Sequence, residues 1–323
     1  MFSREKQMEK KPYVIGLDLG GTNSVFGIVD REAHVVERVS VPTPGHDTVE
    51  LYVKDCVSKL LPLIDRVGGI ARIQGMGIGA PNGNFYTGEI LYAPNLPWKG
   101  RVPLAKLFET ALDVPVVMTN DANAAALGEM AYGAAKGMKN FIEITLGTGV
   151  GSGIVINGEM VYGCDGFAGE LGHTIIVPGG RECGCGRKGC LEAYCSGPGV
   201  ARTALELMAE RRMDSPLRNI APSSLMSKDV SIAASGGDAL AQEALRITGR
   251  RLGEACANFM NFCSVEAFVF FGGPVKAGEA LMAPLREAFE ESVLPIYKGK
   301  AKILVSQLKD SDAAILGAAA LAL

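Results

Sequence analysis

Cys183, Cys185 and Cys190, with His173 ten residues upstream, place four metal-binding side chains in one short stretch. Three thiolates and one imidazole make a tetrahedral set suited to structural Zn2+. The glycines between them, Gly184, Gly186 and Gly189, let a loop fold around an ion. Redox thiols favour Cys-X-X-Cys at a helix start, which this segment lacks. Glu170 lies three residues before His173, and Glu192 two beyond Cys190. A metal that pinned the loop would fix where both carboxylates point, as acceptors for neighbouring sugar hydroxyls. Taken alone, a glutamate is more often a solvated surface charge.

Two glycine turns follow β-rich runs: Gly20-Gly21-Thr22 and Gly147-Thr148-Gly149. Each reads as an ordinary hairpin turn or as a nest of backbone N–H groups for phosphate. Asp18 stands just before the first, where a carboxylate suits a hydrated Mg2+. Neither turn carries the Gly-Lys-Ser/Thr of a Walker loop or the dinucleotide pattern. Their repetition, with Gly272-Gly273 at a third strand end, suggests a nucleotide site spread over several turns.

Asn120-Asp121 falls where a strand ends and a helix begins. Asp121 there suits an N-cap or a general base at the carboxyl end of a parallel strand, and the two roles are compatible. Asn95, within Pro94-Asn95-Leu96-Pro97-Trp98, is a further polar group in a long loop.

The elements that must position these groups alternate short β runs with helical patterns, an α/β architecture. Strands are expected at Tyr13–Leu19, Ser24–Asp30, Val35–Val41, Gln74–Gly79, Val114–Thr119, Phe141–Leu146, Gly153–Ile156, Ala267–Phe271 and Lys302–Val305. Helices are expected at 49–65, 104–112, 121–132, 198–211, 240–262, 278–292 and 312–323. Residues 80–102 read as a long irregular loop, and 213–226 as a polar linker. The two strand–glycine turn–strand units suggest a weak internal repeat.

At 323 residues the chain exceeds a typical domain of about 100–200 residues, so two domains are expected. It is 48% hydrophobic and 21% charged, enough to bury a sizeable core. Glycine, 41 of 323, is well above the usual level of about 7%, which suggests many tight turns or close approach of backbone to a ligand. Lys and Arg number 32 against 35 Asp and Glu, a balance without the footprint of a nucleic-acid binder. No apolar run reaches the length of a membrane span. Residues 1–11 lack the apolar core of a secretory signal and read as a disordered tail. Eight cysteines without such a signal favour metal binding over disulfides. Cys56, Cys164, Cys195, Cys256 and Cys263 are expected as small core hydrophobes.

Gly169-Glu170-Leu171-Gly172-His173 followed by Cys183-Gly-Cys185-Gly-Arg-Lys-Gly-Cys190-Leu191-Glu192 resembles the signature of the ROK family (repressors, open reading frames, kinases). That family lies within the actin/hexokinase-like ATPase superfamily, and the likeness runs from Tyr13 to the C-terminus. Leu17-Asp18-Leu19-Gly20-Gly21-Thr22 and Leu146-Gly147-Thr148-Gly149 are similar to its two phosphate motifs. Asn120-Asp121-Ala122-Asn123 is similar to the segment holding its catalytic base. The resemblance implies two actin/hexokinase-like (ribonuclease H-like) lobes around a central cleft, with a zinc-binding loop at 173–190. Residues 12–119 would form the smaller lobe, joined by the C-terminal helix 311–323, and 120–310 the larger.

The same resemblance implies transfer of the γ-phosphate of Mg-ATP to a hexose 6-hydroxyl. Glucose is the leading acceptor, with N-acetylmannosamine, N-acetylglucosamine, allose and fructose as alternatives. Asn95, Asn120, Asp121, Glu170, His173 and Glu192 would hold the sugar, and Asp121 would also be the base. Asp18 would organise Mg2+. Gly20, Gly21, Thr22, Gly147, Thr148, Gly149, Gly272 and Gly273 would meet the nucleotide. His173, Cys183, Cys185 and Cys190 would hold zinc, His173 through one ring nitrogen while the other faces the sugar. A cytoplasmic homodimer, with no nucleic-acid or membrane partner, is the implied setting. A repressor of this family would need a helix-turn-helix ahead of Tyr13, for which this sequence has little room. A catalytically dead sensor should have lost Asp18 or Asp121, and both are present. Asn23, the run Ala80-Pro81-Asn82-Gly83-Asn84, and Pro274 depart from the family's usual residues. The second departure bears on sugar choice.

Overall fold

The computed structural model describes residues 11–309 and 312–323. The expected tail therefore lies, apart from Lys11, outside the described residues. The chain divides into two compact units, one running to Tyr132 and resuming at Lys309–Leu323, the other spanning Gly133–Leu308.

In the first unit, strands β1 (Tyr13–Leu19), β2 (Asn23–Asp30) and β3 (Val35–Pro42) form an antiparallel meander. Helix α1 (Val49–Arg66) starts at Thr48, whose hydroxyl accepts the Leu51 N–H at 3.3 Å. It buries Tyr52, Val53, Cys56, Leu60, Leu63 and Ile64, a helical stripe against the sheet's core. Strand β4 (Ile73–Gly79) pairs parallel to β1, with Asp18 opposite Gly79. Next come the short strands β5 (Gly83–Asn84), β6 (Glu89–Leu91) and β7 (Arg101–Val102), then helix α2 (Leu104–Leu112). Strand β8 (Val116–Thr119) and helix α3 (Asp121–Tyr132) follow. The main sheet has the order β3-β2-β1-β4-β8.

The stretch 80–102 is thus not wholly irregular, because β5, β6 and β7 pair into a small antiparallel sheet of their own. Ile90 and Val102 are buried there. Strands of two or three residues are too short for an alternation to be seen in sequence.

The second unit repeats the plan. Strands β9 (Phe141–Leu146), β10 (Val150–Ile156) and β11 (Glu159–Met160) form the meander. Helices α4 (Glu192–Cys195), α5 (Gly197–Glu210), α6 (Ser227–Ser235) and α7 (Ala239–Cys263) lead to strand β12 (Ala267–Gly272), parallel to β9. Helix α8 (Glu279–Ser292) and strand β13 (Lys302–Val305), parallel to β12, complete it. The order β11-β10-β9-β12-β13 matches that of the first sheet strand for strand, so the repeat suggested by the glycine turns is one of topology.

Helix α9 (Ala313–Ala320) belongs to the first unit and packs on β1, β4 and α3. Two glycines permit this. A Cβ on Gly16 would strike the Ile315 carbonyl oxygen, and one on Gly77 the Ala318 carbonyl oxygen. The division between the units falls after α3 rather than at the expected 119/120, since α3 packs against α9.

The segment 213–226 is also more ordered than a linker. It makes two 3-10 turns, Pro216–Asn219 and Pro222–Ser224, and buries Leu217 and Leu225 against α5, α6 and α7. Of the scattered cysteines, Cys56, Cys195 and Cys256 are buried, but Cys263 is only half-buried and Cys164 is exposed. Cys164 follows Gly163 in a turn with no apolar periodicity to bury it. Among the described residues, no helix is long and apolar enough to cross a membrane.

Candidate functional site

In the first unit the candidate groups collect at the carboxyl ends of β1, β4 and β8. Asp18 is the penultimate residue of β1, and Asp121 opens α3 just past β8. Burial pushes the Asp18 carboxyl up to about 6, and the neighbouring Asp121 charge adds to the rise. Asp121 retains exposed surface, yet protein crowded around its carboxyl displaces enough water to push its pKa up as well. Two carboxyls that repel one another across a partly dry site are a donor set that a divalent cation suits.

The cap of α3 separates the two roles open to Asp121. Asn120 Oδ1 accepts the Asn123 N–H at 2.7 Å, so Asn120 is the cap. Asp121 Oδ1 accepts the N–H of its own neighbour Ala122 at 2.9 Å, and the residue's own backbone N–H also favours its charged form, but the N–H of the helix's third residue goes to Asn120. Its carboxylate is therefore not committed to holding the helix end. Because the Asn120 oxygen is taken, its Nδ2 is left as a donor for a ligand.

The first glycine turn closes on itself through Gly20 N–H to Asn23 O at 3.0 Å. The amides of Gly21 and Thr22 make no such bond among the described residues. Asn95 is exposed and lies against this turn, for a Cβ on Gly21 would approach the Asn95 carbonyl oxygen to 2.7 Å. Ala93 before it, and Leu96 and Trp98 after it, are buried and anchor the loop on either side. The Lys99 ammonium donates to the carbonyls of Leu96 at 2.8 Å and Pro94 at 3.1 Å. The departures at Asn82 and Asn84 serve the local fold: Asn82 Nδ2 donates to Leu91 O, and buried Asn84 Oδ1 accepts from the Tyr86 and Thr87 amides.

In the second unit, His173, Cys183, Cys185 and Cys190 converge, with their ligand atoms all within 4.8 Å of one another. His173 Nδ1 is 3.7 Å from Cys183 Sγ, and Cys185 Sγ is 3.7 Å from Cys190 Sγ. Ligands at about 2.3 Å from a tetrahedral centre stand about 3.8 Å apart, so the set fits zinc. The Arg187 backbone N–H holds the Cys185 thiol down to about 6, leaving one ligand ionised near neutral pH. Burial pushes Cys183 up to about 12 and raises Cys190, a cost that a bound cation removes. With Nδ1 facing the thiols, His173 keeps Nε2 for another partner.

The loop before His173 is stapled to β10. The Ser152 hydroxyl donates to Gly169 O and accepts the Leu171 N–H at 3.3 Å, while a Cβ on Gly172 would strike the Val150 carbonyl. Arg187 Nη2 donates to His173 O at 2.6 Å. Sequence reading missed both Ser152 and Arg187. Ser152 had a signal, a polar residue in an otherwise apolar strand.

Glu170 is exposed beside His173. Glu192 opens α4, where Oε2 accepts the Val150 N–H at 3.1 Å and Oε1 accepts the Cys183 thiol at 3.4 Å. The turn Gly147-Thr148-Gly149 closes through Gly147 N–H to Gly149 O at 3.0 Å, and its Gly147 carbonyl accepts the Gly197 N–H at 2.8 Å. Register pairs Gly272 with Leu146, so the Gly272-Gly273 turn emerges beside this hairpin. Gly272 has φ +113°, and a Cβ there would strike the Leu146 backbone.

The arrangement has known counterparts. A family model described as ROK family matches residues 14–323. A glucokinase from Halalkalibacterium halodurans is 36% identical over 315 residues, 94% of this chain and 93% of the relative. An N-acetylmannosamine kinase from Escherichia coli is 30% identical over 310 residues, 96% of this chain and 98% of the relative. Among solved structures, a ROK-family glucokinase from Streptomyces griseus, in complex with glucose and AMPPNP, superposes with a TM-score of 0.78 at 34% identity. That match covers 96% of this chain and 98% of the other.

Proposed function

The chain belongs to the ROK family, and we propose that it is an ATP-dependent hexose kinase that phosphorylates glucose at its 6-hydroxyl. The observation that carries this reading is the freedom of Asp121: Asn120 caps α3, leaving a carboxylate with a raised pKa beside Asp18. A carboxylate moved toward neutrality is a better general base. The relatives in hand are glucose kinases at higher identity than the N-acetylmannosamine kinase, which stands as the second reading.

In this reading Asp121 accepts the proton of the sugar 6-hydroxyl as that oxygen attacks the γ-phosphorus. The bond from phosphorus to the departing ADP oxygen breaks on the opposite side. Asn95 and Asn120, with Glu170, Glu192 and His173 Nε2, orient the sugar by hydrogen bonds. The amides of Gly21, Thr22, Thr148 and Gly149 meet phosphate oxygens, since Gly20 and Gly147 spend theirs within the turns. Gly272 and Gly273 leave room beside them for the nucleoside. Asp18 holds Mg2+, which neutralises phosphate charge when bound. His173, Cys183, Cys185 and Cys190 hold zinc, a scaffold for Glu170 and Glu192. Eight cysteines, none in a disulfide among the described residues, suit a reducing, cytoplasmic setting, and a homodimer completes the proposal.

A coupled ADP-release assay across glucose, N-acetylmannosamine, N-acetylglucosamine, allose and fructose tests it. Glucose should give the highest kcat/KM. Turnover of glucose no better than the others would remove the glucose assignment, and no ADP release with any hexose would remove the kinase.

A further inference from the structure

Three buried hydroxyls stand behind the first glycine turn. Thr43, just past β3, donates from Oγ1 to the Gly20 carbonyl at 2.7 Å. Ser24 Oγ on β2 lies 2.9 Å from Thr43 Oγ1, and Tyr52 OH on α1 donates to Ser24 Oγ at 2.6 Å. Ser24, Thr43 and Tyr52 are all shut off from solvent. Thr43 also donates its backbone N–H to Thr22 O at 3.0 Å, gripping the turn from both sides.

The direction of this chain follows from counting protons. A carbonyl can only accept, so the single Thr43 hydroxyl proton is spent on Gly20 O. Thr43 Oγ1 must then be the acceptor in its pair with Ser24, whose own oxygen accepts from Tyr52. The run is Tyr52 O–H to Ser24 O–H to Thr43 O–H to Gly20 C=O, with every member pointing the same way. Hydrogen bonds aligned head to tail polarise one another. The last acceptor shares its peptide unit with the Gly21 N–H, which makes no hydrogen bond among the described residues. Drawing electron density toward the Gly20 oxygen makes that N–H a stronger donor.

We propose that Thr43, aligned by Ser24 and Tyr52, is a positioning residue that holds and polarises the Gly20–Gly21 peptide for a nucleotide phosphate. The inference rests on the reading of this turn as part of the ATP site. Thr43 touches no substrate and acts through the turn alone. The same Tyr52 ring packs on Trp98 with centroids 4.6 Å apart, so the chain starts from a side chain that the core also holds.

Thr43→Val keeps the shape and removes the proton. The KM for ATP should rise about tenfold, while the KM for glucose stays within about twofold, because only one ligand meets the turn. Thr43→Ser, which restores the hydroxyl, should bring the KM for ATP back to within about threefold of the parent protein. Tyr52→Phe should raise it about threefold, and the double variant Thr43→Val/Tyr52→Phe should be no worse than Thr43→Val, since one chain is being cut twice. Thermal midpoints taken alongside show whether each variant folds. An unchanged KM for ATP in Thr43→Val, equal loss in Thr43→Val and Thr43→Ser, or equal rises for both substrates would each overturn the proposal. Asp18→Asn separates it from the reading beneath it. If that variant keeps the parental KM for ATP, both fall; if it loses ATP while Thr43→Val does not, only the positioning chain falls.

Discussion

Glu192 accepts the Val150 N–H at 3.1 Å with one oxygen and the Cys183 thiol at 3.4 Å with the other. A single carboxylate thereby ties the second glycine turn to the cysteine loop. Glu170 reaches the same framework through Ser152, which holds Gly169 and Leu171 on β10. Both glutamates stand on backbone next to the cluster of His173, Cys183, Cys185 and Cys190, which a bound metal would fasten together.

Zinc is therefore expected at one per chain by metal analysis, bound at the His173, Cys183, Cys185 and Cys190 cluster. Cys190→Ser should lower zinc content at least about tenfold and bring down both the thermal midpoint and turnover. A fully zinc-depleted protein that stays folded and active would contradict the scaffold role.

Asp121→Asn should cut kcat by at least about a thousandfold, with glucose binding by calorimetry changed little. Because Asn120 supplies the cap and burial disfavours the Asp121 charge, its thermal midpoint near neutral pH should be no lower than that of the parent protein. Asn120→Ala should show the other pattern in stability, a loss of about 1 kcal/mol from the missing cap. Near-parental turnover in Asp121→Asn would mean that the base lies elsewhere.

Asp18 gives a pH signature. Its carboxyl titrates at about 6 in the fold against 3.8 as the reference value. Below the lower value both states are protonated and the group is silent. As pH rises through about 6 the fold must give up a proton that the unfolded chain has already lost, so stability falls with pH there. Asp18→Asn should therefore exceed the parent by on the order of 1–3 kcal/mol near pH 7.5 in Mg2+-free buffer, allowing for partial exposure, and match it near pH 3.5. Urea unfolding at the two pH values checks this, and an equal gap at both would refute it. A proton and Mg2+ would compete for this carboxylate, so the Mg2+ concentration needed for half-maximal turnover should rise as pH falls below about 6.

Gly77→Ala tests the seat of α9. Its Cβ would meet the Ala318 backbone oxygen, which cannot swing aside as a side chain can. A loss of about 1–3 kcal/mol in urea unfolding is expected, with the m-value unchanged. Parental stability would show that α9 can lift off this strand without penalty.

The long strands and helices were legible because their apolar spacing is sustained, as in β1, β9, α1 and α7. The cysteine cluster was legible because all four ligands sit within one short run. What escaped was set by tertiary partners. Asn120 and Asp121 are equally good caps in sequence, and only the chain's path past β8 chose between them. Strands β5, β6 and β7 are too brief to show a period. Leu217 and Leu225 look stranded among polar neighbours until α5, α6 and α7 close over them. Ser24, Thr43 and Tyr52 are scattered in sequence, and nothing in their spacing announces a shared hydrogen-bond chain.

Helix α9 lies on β1 and β4, strands that precede it by most of the length of this chain of 323 residues. Residues 133–308 are contiguous and hold a complete sheet, so the second unit draws no strand or covering helix from a distant part of the sequence. The first unit does: its sheet face around Gly16 and Gly77 takes its cover from α9. The first unit is thus closed by a contact between segments far apart in sequence, and pairings of that kind are slow to find, so it should be the later of the two to complete its packing.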